Sequence, residues 1–133
     1  MSWLKNFSFF FIWFGIILYL SFTPLTEWPK LGVFEKLYFD KVVHIAMYGI
    51  FCFLLLWGLS RQNQGKKISS SSIIASILFC AGVGIAIEFL QPILTMFRQF
   101  EVADMIANAI GSITGFYFFS LILKRSWLGL KSS

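Results

Sequence analysis

Four long apolar segments dominate this sequence of 133 residues and limit what it can fold into. They cover residues 7–23, 42–59, 73–94 and 102–123. Apolar runs of about 18 or more residues predict helices that span a bilayer, because about 20 helical residues cross its hydrocarbon core. A soluble core could not bury a chain that is 58% hydrophobic and only 13% charged. The segments therefore predict an all-α membrane protein, a bundle of four transmembrane helices that run alternately up and down.

The length of 133 residues predicts a single transmembrane domain over residues 1–133. Pro24 and Pro29 interrupt the chain after the first segment, and the polar stretch SRQNQGKKISSSS, residues 60–72, follows the second. The serines at its end are predicted to belong to this loop. We expect the first segment to be retained as a membrane span, because no signal-peptide cleavage pattern follows it.

The first linker, residues 24–41, has an amphipathic pattern. Leu31, Phe34 and Tyr38 recur at helical spacing, with charged residues between them. This pattern predicts a short interfacial helix in the first outer loop, where it could cover a polar site or simply anchor the bundle with aromatic side chains.

Basic residues are distributed unequally between the two sides of the predicted bundle. Seven lie with the termini and the middle loop: Lys5, Arg61, Lys66, Lys67, Lys124, Arg125 and Lys131. Four lie on the other side: Lys30, Lys36, Lys41 and Arg98. Positive loops stay in the cytoplasm, so both termini are predicted to be cytoplasmic. This bias and contact with anionic lipid explain the net charge of +5, and no nucleic-acid partner is predicted.

With this orientation, the polar residues of three spans reach the same level, in the outer half of the membrane. The second span brings Asp40, Lys41, His44 and Tyr48, the third brings Glu88 and Gln91, and the fourth brings Asp104 and Asn108. Glycines continue the polar faces of the third and fourth spans. On the fourth span, GSITG (residues 111–115) has the small-xxx-small pattern that lets helices approach closely.

The charged residues inside the spans need partners. A charge near the centre of a membrane helix costs about 2.5–3.5 kcal/mol, whereas each large apolar residue returns only about 0.3–0.6 kcal/mol. We therefore expect Glu88 and Asp104 to face the bundle interior and to pair with some of Lys41, His44 and Arg98.

These residues also carry a family resemblance. SFTP, DKVVHIAMY and EFLQ occur in this order, followed by Arg98, Asp104, Asn108, Gly111 and Gly115 at fixed spacing. The set, over about residues 21–115, resembles the VanZ-like family of small bacterial membrane proteins. The resemblance implies a multi-pass protein of the bacterial inner membrane, and the namesake is linked to resistance against the glycopeptide teicoplanin. Met96-Phe97 stands where members often have Pro-Gly before the arginine.

Three functions are compatible with this sequence. In the first, the protein binds or modifies a cell-envelope lipid or lipid-linked precursor, with a lipid phosphate headgroup at the cationic side chains. The candidate ligand-binding residues are Lys41, Arg98, Gln91, Asn108, Asp40 and Tyr48. In the second, the protein is an intramembrane acid–base enzyme that uses Glu88, His44 and Asp104 on a lipid-linked substrate. In the third, the same residues form only a structural network.

No cofactor or metal is predicted from the sequence. Cys52 and Cys80 lie inside predicted spans and lack the spacing of metal ligands. His44 with Glu88 and Asp104 offers only one histidine and two carboxylates, an incomplete ligand set. A transporter or channel is also disfavoured, because the inner half of the bundle has no polar lining.

Overall fold

A computed structural model of the protein describes residues 2–24 and 32–129, and these residues form four helices. The helices are α1 (Ser2–Phe22), α2 (Val33–Gln62), α3 (Ser70–Leu94) and α4 (Val102–Gly129). Each contains a segment long and apolar enough to cross a membrane, and no strand occurs in this part of the chain. The predicted all-α, four-helix membrane fold is confirmed, and the protein is a multi-pass membrane protein.

The helices are longer than the apolar segments that predict them. α1 begins at Ser2 and α2 at Val33, well before the apolar segments at residues 7 and 42. Hydropathy marks only the part of a helix that lies in hydrocarbon, whereas the helix itself continues through polar turns. Of the predicted interfacial helix, residues 25–31 lie outside the described part of the chain, and the described portion from Val33 belongs to α2 without a break.

The serine run was predicted to be a loop, and this prediction is wrong. Ser69 is the N-cap of α3, and its hydroxyl accepts a hydrogen bond of 3.2 Å from the backbone N–H of Ser72. Serine favours this position because its side chain satisfies a backbone donor that the first helical turn leaves free. Residues 70–72 therefore form the first turn of α3.

Helix α2 is the centre of the bundle. It packs against all three other helices, most extensively against α4, whereas α1 makes no contact with α4 among the described residues. Aromatic side chains join α1 to α2, and the rings of Phe10 and Phe51 stack with centroids 4.8 Å apart. The indole Nε1 of Trp13 also donates a hydrogen bond of 2.9 Å to the carbonyl oxygen of Met47.

Glycines allow the close contact between α2 and α4. Gly111 lies against the main chain of Ile45, and Gly115 lies against the main chain of Gly49. A Cβ atom at either position would overlap that backbone, which cannot move aside as a side chain could. The small-xxx-small pattern therefore does what the sequence predicted: it brings two membrane helices into backbone contact.

We expect Gly115→Ala to destabilise the bundle, because the added methyl group forces α2 and α4 apart. Overpacking of this kind costs about 1–3 kcal/mol. Gly82→Ala is the matched control, since nothing lies within 4 Å of a Cβ atom at Gly82. Melting temperatures in detergent should fall for the first variant and stay at the wild-type value for the second. Equal melting temperatures for the two variants would contradict the close packing.

Polarity is distributed as expected of a bundle in lipid. Large apolar side chains cover the outside, and polar side chains are buried: Ser21, His44, Ser76, Glu88, Gln91, Asp104, Asn108 and Ser112. Most of these lie at one end of the bundle, where α1 and α3 end and where α2 and α4 begin. We call this the polar end.

Candidate functional site

Lys41 is the centre of an ion-pair cluster at the polar end. The third turn of α2 places its ammonium group against three carboxylates: Asp104 in the first turn of α4, Glu101 just before α4, at 2.8 Å, and neighbouring Asp40 at 3.3 Å. The Lys41 side chain is 24% exposed and the Asp104 side chain only 8%. Since an ammonium has three N–H donors, the three carboxylates can occupy all of them.

His44 lies one helical turn beyond Asp40 and contacts both α2 and α4. Its Nδ1 lies 2.9 Å from Oδ1 of Asn108, so this nitrogen is the donor when the amide oxygen faces it. Its Nε2 faces two carboxylate oxygens, Asp40 Oδ1 at 3.8 Å and Asp104 Oδ2 at 3.7 Å. The imidazole therefore connects the amide of α4 with the carboxylates of the Lys41 cluster.

Glu88 is buried in α3, and no described residue forms a hydrogen bond with its carboxylate. It is 1% exposed, and neither carboxylate oxygen has a hydrogen-bond partner among the described residues. The backbone of Glu101 approaches the carboxylate without meeting hydrogen-bond geometry, and Asp104, His44 and Arg98 are close enough to interact with it electrostatically. The predicted pairing with a cation is thus seen for Asp104, whereas Glu88 has no ion pair in the described part of the chain.

A glycine in α3 makes room for the polar side chains of the neighbouring helices. Gly84, one turn before Glu88, faces the Asn108 amide and the ring of Tyr48, and a Cβ atom there would lie only 2.8 Å from Asn108. Tyr48 and Asn108 are each 1% exposed. The amide nitrogen Nδ2 of Asn108 has no hydrogen-bond partner in the described residues. Like the Glu88 carboxylate, it is a buried polar group that lacks a partner.

A cleft opens beside this network, between α1, α2 and α3. Its volume is about 200 Å³, and its lining combines apolar and polar side chains: Leu20, Ser21, Asp40, Val43, His44, Met47, Gln91 and Arg98. Gln91 closes one side, because its amide nitrogen donates a hydrogen bond of 3.0 Å to the carbonyl oxygen of Ser21. Arg98 follows α3 and makes no hydrogen bond or salt bridge with the described residues, so its guanidinium is available to a ligand.

The structure brings the predicted site residues to one end of the bundle, in two groups. Lys41, Asp40, His44, Asp104 and Asn108 are connected by direct polar contacts between α2 and α4. The other predicted residues surround that network: Gln91 and Arg98 at the cleft, and Glu88 and Tyr48 in the interior.

Sequence reasoning missed Glu101 and Ser21. Glu101 pairs with Lys41, and the signal was its position three residues before Asp104, immediately ahead of α4. Ser21 contributes its backbone carbonyl to Gln91, a contact that no side-chain pattern reveals.

With all of its carboxylates ionised, this arrangement carries an excess of negative charge. Among the described side chains, the polar end holds four carboxylates, Asp40, Glu88, Glu101 and Asp104, and two permanent cations, Lys41 and Arg98. Lys41 is already surrounded by carboxylates, so Arg98 is the cation that can bind an anionic ligand. The site can therefore accept an anion at Arg98 and a cation near His44, within a few side chains of each other.

The family model described as VanZ/LLP1 matches residues 2–123. No curated protein and no solved structure matches the chain.

Proposed function

The chain belongs to the VanZ/LLP1 family, and we propose that it binds the phosphate of a cell-envelope lipid, or of a lipid-linked precursor, at its polar end. The membrane concerned is the bacterial cytoplasmic membrane. The cellular consequence that we propose is an altered susceptibility to teicoplanin-type glycopeptides, which extends to this chain the role linked to the namesake of the family.

The observation that carries this proposal is that the Arg98 guanidinium, in a cleft with an apolar wall, makes no hydrogen bond or salt bridge with the described residues. Leu20, Val43 and Met47 supply apolar surface, and Gln91 and Arg98 supply polar groups beside it. A lipid phosphate presents the same combination, a charged group joined to hydrocarbon. Arginine suits this ligand because its planar guanidinium donates two parallel hydrogen bonds to phosphate oxygens.

The size of the cleft limits which part of the ligand it can hold. At about 200 Å³ it is smaller than the roughly 300–1,000 Å³ typical of pockets that enclose a whole drug-sized ligand. It suits a headgroup phosphate and its nearest atoms, while the acyl or isoprenoid chains stay in the bilayer. No cofactor is needed for such binding, and no nucleic-acid partner is proposed.

Lys41 has a different role in this proposal from the one expected from the sequence. Its ammonium is held by Asp40, Glu101 and Asp104, and it does not line the cleft. We propose that it fixes the start of α2 to the start of α4, which positions the cleft residues Asp40 and His44. Arg98 provides the direct contact with phosphate.

The polar end faces the outside of the cell in this proposal. The start of α1, the end of α4 and the loop between α2 and α3 lie at the opposite end of the bundle. In the sequence, seven of the eleven basic residues belong to the terminal segments and this loop. Since basic segments resist transfer across the membrane, the polar end is placed in the outer leaflet.

We expect Asn63→Cys to resist a membrane-impermeant maleimide in intact cells, and Gln99→Cys to react with it. Both native residues are exposed, and they lie at opposite ends of the bundle. The native thiols of Cys52 and Cys80 are buried and should give little background. Permeabilised cells should label both variants. Labelling of Asn63→Cys alone in intact cells would reverse the orientation and place the polar end in the cytoplasmic leaflet.

We expect Arg98→Gln to lose a phosphate-bearing lipid that the wild-type protein retains during delipidation in mild detergent. Native mass spectrometry with lipidomics identifies and counts the retained lipid. Arg61→Gln is the matched control, because it removes the same charge from an exposed site at the other end of the bundle. The two variants should differ in retained lipid at equal melting temperature. Equal retention by wild type and Arg98→Gln would refute the proposed site.

Intramembrane acid–base catalysis is the second candidate, and the buried Glu88 carboxylate without a partner favours it. A carboxylate inside a membrane span is a functional-site hypothesis in itself. Of the three candidate acid–base residues, His44 borders the cleft, whereas Glu88 and Asp104 lie behind it. A lipid-linked substrate converted by membranes containing wild type but not His44→Gln would favour catalysis over binding.

A further inference from the structure

We propose that Asp40, His44 and Asp104 form a binding site for a divalent transition-metal ion at the wall of the cleft. The site consists of one imidazole nitrogen and two carboxylate oxygens from α2 and α4. One ligand atom from each residue lies within 4.8 Å of the others. This proposal goes beyond lipid binding and does not depend on it.

The two carboxylates divide their oxygens between Lys41 and His44. Lys41 contacts Oδ2 of Asp40 and Oδ1 of Asp104, while Nε2 of His44 faces the other oxygen of each, at 3.8 and 3.7 Å. Lys41 therefore need not compete with an ion at the His44 side. Lys41 contacts the carboxylate oxygens that face away from His44. Carboxylates that bind a metal are commonly held by such contacts to their other oxygen.

His44 is oriented in the way that metal-binding histidines are. When its Nδ1–H donates to Oδ1 of Asn108, Nε2 presents its lone pair to the space shared with Asp40 and Asp104. A lone pair facing two carboxylates is repulsive unless a proton or a metal cation lies between them. Ligating histidines usually donate their second ring N–H to an oxygen acceptor, which fixes the ring and its tautomer.

The two distances from Nε2 of His44 require only a small adjustment. Bonds of about 2.0–2.2 Å at a tetrahedral metal such as Zn²⁺ put ligand atoms roughly 3.3–3.6 Å apart. The separations of 3.7 and 3.8 Å from Nε2 are a few tenths of an ångström wider. With three protein ligands the fourth position stays open, and two of the ligands, Asp40 and His44, line the cleft.

Glu88 provides an independent reason to expect a cation here. Its carboxylate is 1% exposed, has no hydrogen-bond partner in the described chain, and interacts electrostatically with Asp104 and His44. When all four carboxylates are ionised and His44 is neutral, the two permanent cations leave the described polar end two negative charges in excess. One divalent ion would balance this excess, which an apolar surrounding makes costly.

In the first test, the purified, metal-free protein in detergent is titrated with Zn²⁺ alone, and binding is measured by isothermal titration calorimetry. We expect one ion per chain. Asp40→Asn and His44→Gln should each weaken binding by on the order of 100-fold or more, since even partners outside the ligand set contribute about 10–100-fold. Asp40 lies at the rim of the cluster, with its side chain 31% exposed, so its variant should fold.

Glu101→Gln is the matched control for charge. It removes a carboxylate that contacts Lys41 but not His44, and Zn²⁺ affinity should stay near the wild-type value. Wild-type protein that is folded by its melting curve yet binds no Zn²⁺ stoichiometrically would overturn the proposal, as would unchanged affinity in folded Asp40→Asn. Lipid retention through Arg98 is measured separately, so the failure of one proposal is distinguishable from the failure of the other.

Discussion

Lys41→Met should lose more stability than any other single substitution of a charged residue at the polar end. Methionine keeps the length and apolar stem of the side chain but removes the charge, which leaves Asp40, Glu101 and Asp104 facing one another. Breaking a buried ion pair costs about 3–5 kcal/mol, and the 24% exposure of the Lys41 side chain places this variant toward the lower end. Detergent melting temperature and membrane abundance should both fall.

Glu101→Gln shows how much of the expected loss of stability comes from burial of the ion pair. The Glu101 side chain is 47% exposed, and ion pairs at exposed positions contribute about 0–1 kcal/mol. Its loss should change the melting temperature little, although it removes a contact with the same ammonium. If Lys41→Met and Glu101→Gln melted alike, the Lys41–Asp104 pair would not be what joins α2 to α4.

Glu88→Gln should show the opposite pattern: stability is retained, and function is lost under the second candidate function, in which Glu88 is an acid–base residue. No cation is left unpaired by this change, because neither Glu88 oxygen has a partner among the described residues. Removing an unpaired charge from a membrane span should leave the melting temperature unchanged or raise it. A side chain that acts only as a structural ion-pair partner would behave as Lys41 does.

The measurement pairs membrane abundance and detergent melting temperature with teicoplanin susceptibility, for Glu88→Gln and Asp104→Asn. Asp104→Asn should lose stability, because its carboxylate contacts Lys41. Normal abundance of Glu88→Gln together with loss of the envelope phenotype would support a functional carboxylate. Unchanged susceptibility at normal abundance in both variants would assign the cluster to bundle architecture alone.

The sequence predicts the fold well because the bilayer restricts it so strongly. An apolar segment of about 20 residues can satisfy its backbone hydrogen bonds in lipid only as a spanning helix. Helices that follow one another in the chain then cross the membrane in opposite directions. The placement of Glu88 and Asp104 in the interior follows from the cost of charge in hydrocarbon. The two glycines of GSITG, residues 111–115, predict the close helix contact because small residues at this spacing lie on one face of a helix.

The pairing within the cluster could not be predicted in the same way. Helical periodicity shows which residues share a face, but the rotation and separation of α2, α3 and α4 decide which of them touch. Lys41 could have met Glu88 as well as Asp104, and only the close α2–α4 contact at Gly111 and Gly115 selects Asp104. In the same way, the positions of the helices group His44 and Asp104 with Asp40 and not with Glu88.

The central claim is that a lipid phosphate binds Arg98 in the cleft, and magnetic-resonance contact between phosphorus and nitrogen tests it most directly. The protein is labelled with ¹⁵N-arginine, delipidated in mild detergent and measured for ³¹P–¹⁵N dipolar dephasing, with Arg98→Gln used to assign the signal. After delipidation, we expect the ³¹P–¹⁵N contact to remain at Arg98. The contacts at Arg61 and Arg125 should be lost. Loss of contact at all three arginines alike would contradict it.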